Sequence, residues 1–235
     1  VVMRRKVSYY LILSGSDLFS IFDILNFRVD LNKKTLLCLC GVAILSCTSL
    51  SEDDLQNGDI IFQASLSAQS LAIQLATHSK YSHVGIIYKK SNSNKIYVLE
   101  AHSSVKLTPF SEWVKRGAGG HYVVKRLSQA NQILTPKVLK KMQVIAKKWL
   151  GKSYDWHFEW NDKKLYCSEL VWKIYQRATG IELSPLKQLR EFDLTFPPVK
   201  QKLQERFGNK IPLTELVISP GDLFESSRLV TVGTN

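Results

Sequence analysis

Short unbroken apolar runs fill the chain from residue 55 to about residue 124, and periodically spaced apolar positions follow. Asn57-Gly58-Asp59 is a turn signal that opens Ile60-Ile61-Phe62, which reads as a short buried strand. Leu71, Ile73 and Leu75 stand among small residues between Ser67 and Thr77 and predict a short helix. His83-Val84-Gly85-Ile86-Ile87-Tyr88 and Ile96-Tyr97-Val98-Leu99-Glu100 flank Ser91-Asn92-Ser93-Asn94, so two strands and a turn predict a hairpin. Tyr122-Val123-Val124 adds a strand after Gly117-Ala118-Gly119-Gly120.

Beyond residue 134 the period changes to that of a helix. Thr135-Pro136 sets an N-cap before a proline at the first helical position. Val138, Leu139, Met142, Ile145, Ala146, Trp149 and Leu150 form one face, lysines the other, and Gly151 ends the run. A second helix begins near Cys167, carries Leu170, Val171, Ile174, Tyr175 and Ala178 on one face, and stops at Gly180. Pro198 to Phe207 predicts a third, closed by Gly208, and Pro185 and Pro197-Pro198 point to loops that cover a site. Strands early and helices late make the fold class α+β rather than alternating βαβ.

The first 47 residues read as processing rather than fold. Lys33-Lys34 precede the uncharged stretch Leu36 to Leu45, the layout of a signal peptide, which assigns residues 31–47 to a leader. The stretch ends Ile44-Leu45-Ser46-Cys47, which resembles a bacterial lipobox and makes Cys47 the expected lipid attachment site. The implied location is the cell envelope, with a membrane anchor on Cys47. Residues 1–30 are then an N-terminal extension, either an overextended gene start or a real arm. The folded domain is expected over 48–235, a length suited to one core.

Composition narrows the classes. Hydrophobic residues make up 45% and charged residues 22%, which argues against a disordered, collagen-like or coiled-coil chain. No run of 18 uncharged apolar residues is present, so a polytopic membrane protein is not expected. The net charge of +12 favours anionic partners or simply solubility. Basic residues are dispersed, with neither zinc-finger spacing nor an aromatic RNA-binding signature, so no nucleic-acid partner is expected.

Cys167 is the one cysteine beyond residue 47, so it has no disulfide partner in the expected domain and no second thiol for a zinc site. It stands where a helix begins. There, unpaired N–H groups and the macrodipole favour a thiolate and hold a developing oxyanion. By position alone it is as readily a buried structural cysteine. A catalytic thiol needs a base, and of His78, His83, His102, His121 and His157, His83 begins an apolar strand from which a rigid backbone aims its ring. An imidazole needs an orienting group as well. Glu100 ends the returning strand, 17 residues on, and His102 is the alternative.

Gly58-Asp59-Ile60-Ile61-Phe62, Ser79-Lys80-Tyr81-Ser82-His83-Val84-Gly85-Ile86, Val98-Leu99-Glu100-Ala101 and Tyr166-Cys167-Ser168-Glu169-Leu170-Val171 form an ordered set. This set resembles the permuted NlpC/P60 cysteine hydrolases, papain-like amidases of the YiiX/YebB type, from about Leu55 to about Leu183. The resemblance implies a circularly permuted papain-like fold, with an antiparallel sheet packed against helices. It implies Cys167 as nucleophile, His83 as general base and Glu100 as the group orienting it. Tyr154 and Tyr166 become pocket-wall residues or packing beside the core helix, and Gln63 a candidate oxyanion donor, with no metal and no organic cofactor required. The implied substrate is the peptide amide of a cell-wall fragment. Two rivals stand beside it: a lipid-directed acyltransferase or hydrolase with the same three residues, and a non-catalytic binding lipoprotein. Apolar walls around the cleft favour a lipid-like acyl substrate, polar walls a peptide. Oligomeric state has no signature in the chain.

Overall fold

The computed structural model describes residues 50–90, 93 and 95–235. The N-terminal extension, the leader, Cys47 and the expected turn residues Ser91, Asn92 and Asn94 lie outside the described residues.

In chain order the elements begin β1 (Ile60–Gln63), α1 (Ser70–Thr77), β2 (His83–Lys89), β3 (Ile96–Ala101), β4 (Val105–Pro109), α2 (Phe110–Lys115), β5 (Val123–Leu127), α3 (Ala130–Ile133) and α4 (Pro136–Trp149). They continue α5 (Cys167–Thr179), β6 (Lys187–Gln188), α6 (Pro197–Phe207), β7 (Leu216–Val217), α7 (Pro220–Phe224) and β8 (Leu229–Thr234). Six strands form one sheet in the order β4-β3-β2-β1-β5-β8, and every neighbouring pair is antiparallel. β6 and β7 make a separate ribbon.

Both faces of the sheet are covered, which is why β1 and β2 read as unbroken apolar runs instead of alternating ones. Ile60, Phe62, Val84, Ile86 and Leu99 pack with Leu170, Val171 and Ile174 of α5 and with Met142 and Trp149 of α4. Their neighbours Ile61, Ile87, Val98 and Val124 point the other way and pack with Leu55, Phe110 and Trp113. A third cluster joins α1 to α6 through Ala72, Val199 and Leu203, with Leu189 beside them.

The Gly-Asp motif is architectural. Gly58 has φ +92°, and a Cβ there would stand 2.9 Å from Leu134 Cδ1. Its carbonyl accepts the Tyr175 hydroxyl of α5. Asp59 holds Arg126 of β5 through a fork, at 2.6 and 2.7 Å. The turn that launches β1 is thereby tied to α5 and to β5.

Two strands were not expected. β4 and β8 extend the sheet at its two ends, where Val-Lys-Leu-Thr-Pro and Leu-Val-Thr-Val-Gly-Thr are too short and too polar to announce strands. The segment after Leu183, which the motifs left without a match, ends in β8 paired with β5. The helix expected from Pro198 to Phe207 is α6; it starts on both prolines, whose missing N–H groups cost nothing in a first turn, and ends at Gly208.

Candidate active site

The site forms where the first turn of α5 meets the beginning of β2. Tyr166 is extended (φ −99°, ψ 169°) and its N–H donates to Glu169 Oε2 at 3.2 Å, so the helix begins on Cys167. Nearly all of α5 is buried, and Glu169 is matched there by Lys173 one turn later, at 2.7 Å. Cys167 is 3% exposed, and its N–H belongs to the first turn, which has no intrahelical acceptor.

His83 is the first residue of β2 and is buried. β2 and β3 pair with Ile86 opposite Leu99, which sets Gly85 opposite Glu100 and leaves His83 and Glu100 as diagonal neighbours on one face. The diagonal is closed by a hydrogen bond of 2.6 Å between His83 Nε2 and Glu100 Oε2. Between them a glycine is required: a Cβ on Gly85 would lie 2.4 Å from Val98 Cγ1 and 2.9 Å from Leu99 O. Nε2 being engaged with the carboxylate, Nδ1 is the nitrogen left for the sulfur.

Glu100 is fully buried and has three partners. Besides His83, its Oε1 accepts Thr108 Oγ1 of β4 at 2.5 Å and Arg116 Nη2, from the end of α2. Burial opposes its charge, but His83, then Thr108 and Arg116, outweigh that and pull its pKa down to about 2. Burial likewise opposes a charged His83. Hydrogen bonding and charge attraction from Cys167, and then from Glu100, reverse this and push its pKa up to about 9. The Trp113 ring stacks on His83, with centroids 5.9 Å apart and planes at 27°, and covers one face of the imidazole.

Cys167 opens onto a cavity of about 110 Å³ between α1, α6 and the first turn of α5. Its walls are mostly apolar, with Ala72, Ile73, Phe158, Leu203 and Ile218 among them. Tyr154 and Tyr166 both line it. The Tyr166 hydroxyl accepts from Ile218 N at 3.1 Å, so this ring also anchors the strand end after β7. The Tyr154 hydroxyl accepts from Gln69 Nε2 at 3.2 Å. Burial, and then the neighbouring Cys167, push the Tyr154 phenol well above its ordinary pKa, so it stays protonated.

Gln63 is paired directly with His83 across β1 and β2. It is not part of the cavity lining, and neither end of its buried carboxamide has a hydrogen-bond partner among the described residues. His102, the alternative orienting group, is exposed and meets His83 only edge-on, with centroids 6.1 Å apart. Glu100 holds that place instead, fully buried and hydrogen-bonded to His83 Nε2. His78 pairs with Asp193 at 3.1 Å and His157 meets the Phe207 ring edge-on. Thr108, Trp113 and Arg116 were not legible from the sequence, since the β4–α2 unit that carries them has no strong pattern. Gln69 and Arg206, which line the cavity, had no signature either.

A family model described as permuted papain-like amidase enzyme, YaeF/YiiX, matches residues 54–233. The match runs well past Leu183, where the motif resemblance ended, and takes in α6 and most of β8. The uncharacterized protein YiiX of Escherichia coli K12 is 48% identical over 177 residues, which are 75% of this chain and 85% of that protein. A crystal structure described as the metalloprotein yiiX from Escherichia coli O157:H7 has a TM-score of 0.73 at 47% identity, covering 77% of this chain and 98% of the other.

Proposed function

The chain belongs to the permuted papain-like amidases, and from that premise we propose that Cys167, His83 and Glu100 act together as the catalytic triad of a cysteine hydrolase with an apolar acyl pocket. The observation that supports the triad is the 2.6 Å bond from His83 to a buried, threefold-held carboxylate, with Cys167 among the groups that raise the His83 pKa. With its pKa near 9, His83 is protonated at neutral pH and stands ready as the acid beside Cys167.

The thiolate attacks the carbonyl carbon of an amide or ester, and the carbonyl π electrons move to oxygen. The Cys167 N–H supplies one donor to this oxyanion, and the unpartnered Gln63 carboxamide is the candidate for a second. His83 gives its proton to the leaving nitrogen or oxygen as that bond breaks. The neutral imidazole then takes a proton from water, which attacks the thioester and frees the acid and the thiolate. Glu100 keeps Nε2 occupied throughout, which fixes the ring and the tautomer.

The cavity walls favour a lipid-like acyl chain over the cell-wall peptide that the motif resemblance implied. The related crystal structure is described as a metalloprotein. Among the described residues here, no three His, Cys, Asp or Glu side chains gather into a ligand set, and no step is routed through an ion. Export with an acylated Cys47 belongs to the same proposal, supported by Lys33-Lys34, the apolar stretch and the terminal cysteine.

The test is a hydrolysis screen of N-octanoyl amides against peptide amides of cell-wall type, with C167A as control. Turnover of the octanoyl series, abolished in C167A, is expected. Turnover of the peptides alone overturns the acyl reading, and turnover that survives C167A overturns the triad.

A further inference from the structure

One charged group in the cavity is not explained by catalysis. α6 presents Val199, Lys202, Leu203 and Arg206 to the cavity, the spacing of a single helix face. Lys202 is matched by Glu205 at 2.5 Å. Arg206 makes no ion pair among the described residues. Its guanidinium lies over the Phe158 ring at 4.7 Å and beside the Trp156 ring at 5.9 Å, so two aromatic groups hold its plane. One nitrogen, Nη2, donates to Gln69 Oε1, and the Gln69 amide donates in turn to the Tyr154 hydroxyl beside Cys167. A half-buried, planar cation is thus oriented through a short relay toward the reacting sulfur, while the surrounding walls are mostly apolar.

We propose that Arg206 is a specificity-determining residue that binds an oxyanion, carboxylate or phosphate, carried by the substrate whose apolar chain fills this cavity. The proposal rests on the reading of the cavity as the acyl pocket. A guanidinium has five donors in a fixed fork, and Gln69 uses one of them. The remaining edge suits an oxyanion, and a mostly apolar surround strengthens that contact. Were Arg206 only a strap across Trp156 and Phe158, its replacement would alter stability and would not alter a choice between charged and neutral ligands.

The test measures binding of octanoate, octyl phosphate and octanol by calorimetry to the full chain, to R206Q and to R206K. Wild type is expected to bind at least one anion about tenfold more tightly than octanol, a preference that high salt narrows. The tighter of the two anions identifies the source of the oxyanion. R206Q is expected to bind all three alike, and R206K to keep part of the preference because the charge remains while the fork is lost. Equal binding of anions and octanol by wild type, or a preference that persists in R206Q, overturns the proposal. Failure of all three ligands to bind overturns the acyl-pocket reading and this inference together. Binding of octanol without anion preference overturns this inference alone. Where R206Q fails to fold, R206K against wild type decides: an undiminished preference in R206K overturns the proposal.

Discussion

The two sides of Cys167 are built by different rules. On the His83 side the groups are polar, buried and held several times over: Glu100 alone has three partners drawn from β2, β4 and the end of α2. On the cavity side the walls are mostly apolar, contributed by α1, α6 and the segment around β7, and the polar groups there are few. The first arrangement fixes one ring in one orientation, which general acid-base chemistry demands. The second leaves a volume to be filled, which selects a ligand by shape and by one charge. In this account the sheet end supplies the rate and the C-terminal cover supplies the preference, so variants on the two sides should separate.

The largest separation is expected from E100Q. It keeps the size of the side chain but removes the charge that favours imidazolium, and it is expected to lower kcat/KM about 10³-fold. Octanoate binding by calorimetry should be unchanged. A parallel loss of binding would show that the two sides are not independent.

The pH dependence comes next. The folded pKa of His83 is raised from its ordinary 6.5 to about 9, so the stability it contributes is full below about 6.5 and is lost as pH rises through about 9. The folded pKa of Glu100 is lowered from 4.5 to about 2, so its contribution is full above about 4.5 and is lost as pH falls through about 2. Tm from thermal melts should therefore decline above neutrality in wild type, and less so in H83A. Hydrolysis needs the imidazolium proton and should fall about tenfold per pH unit above about pH 9. A rate that keeps rising past that point would contradict the assignment of the acid.

The smallest effect is expected in the cover. Ala76 lines the cavity from α1, and A76L should shift the ratio of kcat/KM between octanoyl and butanoyl substrates several-fold toward the shorter chain, by filling volume. Its Cys167 alkylation rate should match wild type. A change in alkylation without a change in chain preference would reverse the roles given to the two sides.

The same contrast explains what was legible in the sequence. The strands β1, β2 and β3 and the helices α4 and α5 carry their own signals, in unbroken apolar runs, a proline-led cap and a 3.6-residue period. Cys167, His83 and Glu100 stand on those elements, at a helix start or a strand end, so each was readable locally. The pairing of His83 with Glu100 was only half readable. A hairpin brings His83 near Glu100, but the diagonal register across Gly85 depends on pairing that residue spacing does not encode. The groups that hold Glu100 come from the edge strand β4 and from α2, where half-exposed residues blur the pattern. Arg206 and Gln69 meet across 137 residues through the packing of α6 on α1, and no local motif announces such a contact.

The central claim is that His83 activates Cys167. The direct measurement is the rate of Cys167 alkylation by iodoacetamide at neutral pH, read by mass mapping of the peptide that carries Cys167, in wild type and in H83A. Rapid labelling of Cys167 is expected in wild type, at a rate about 10²-fold lower in H83A. Equal rates in the two proteins would contradict it.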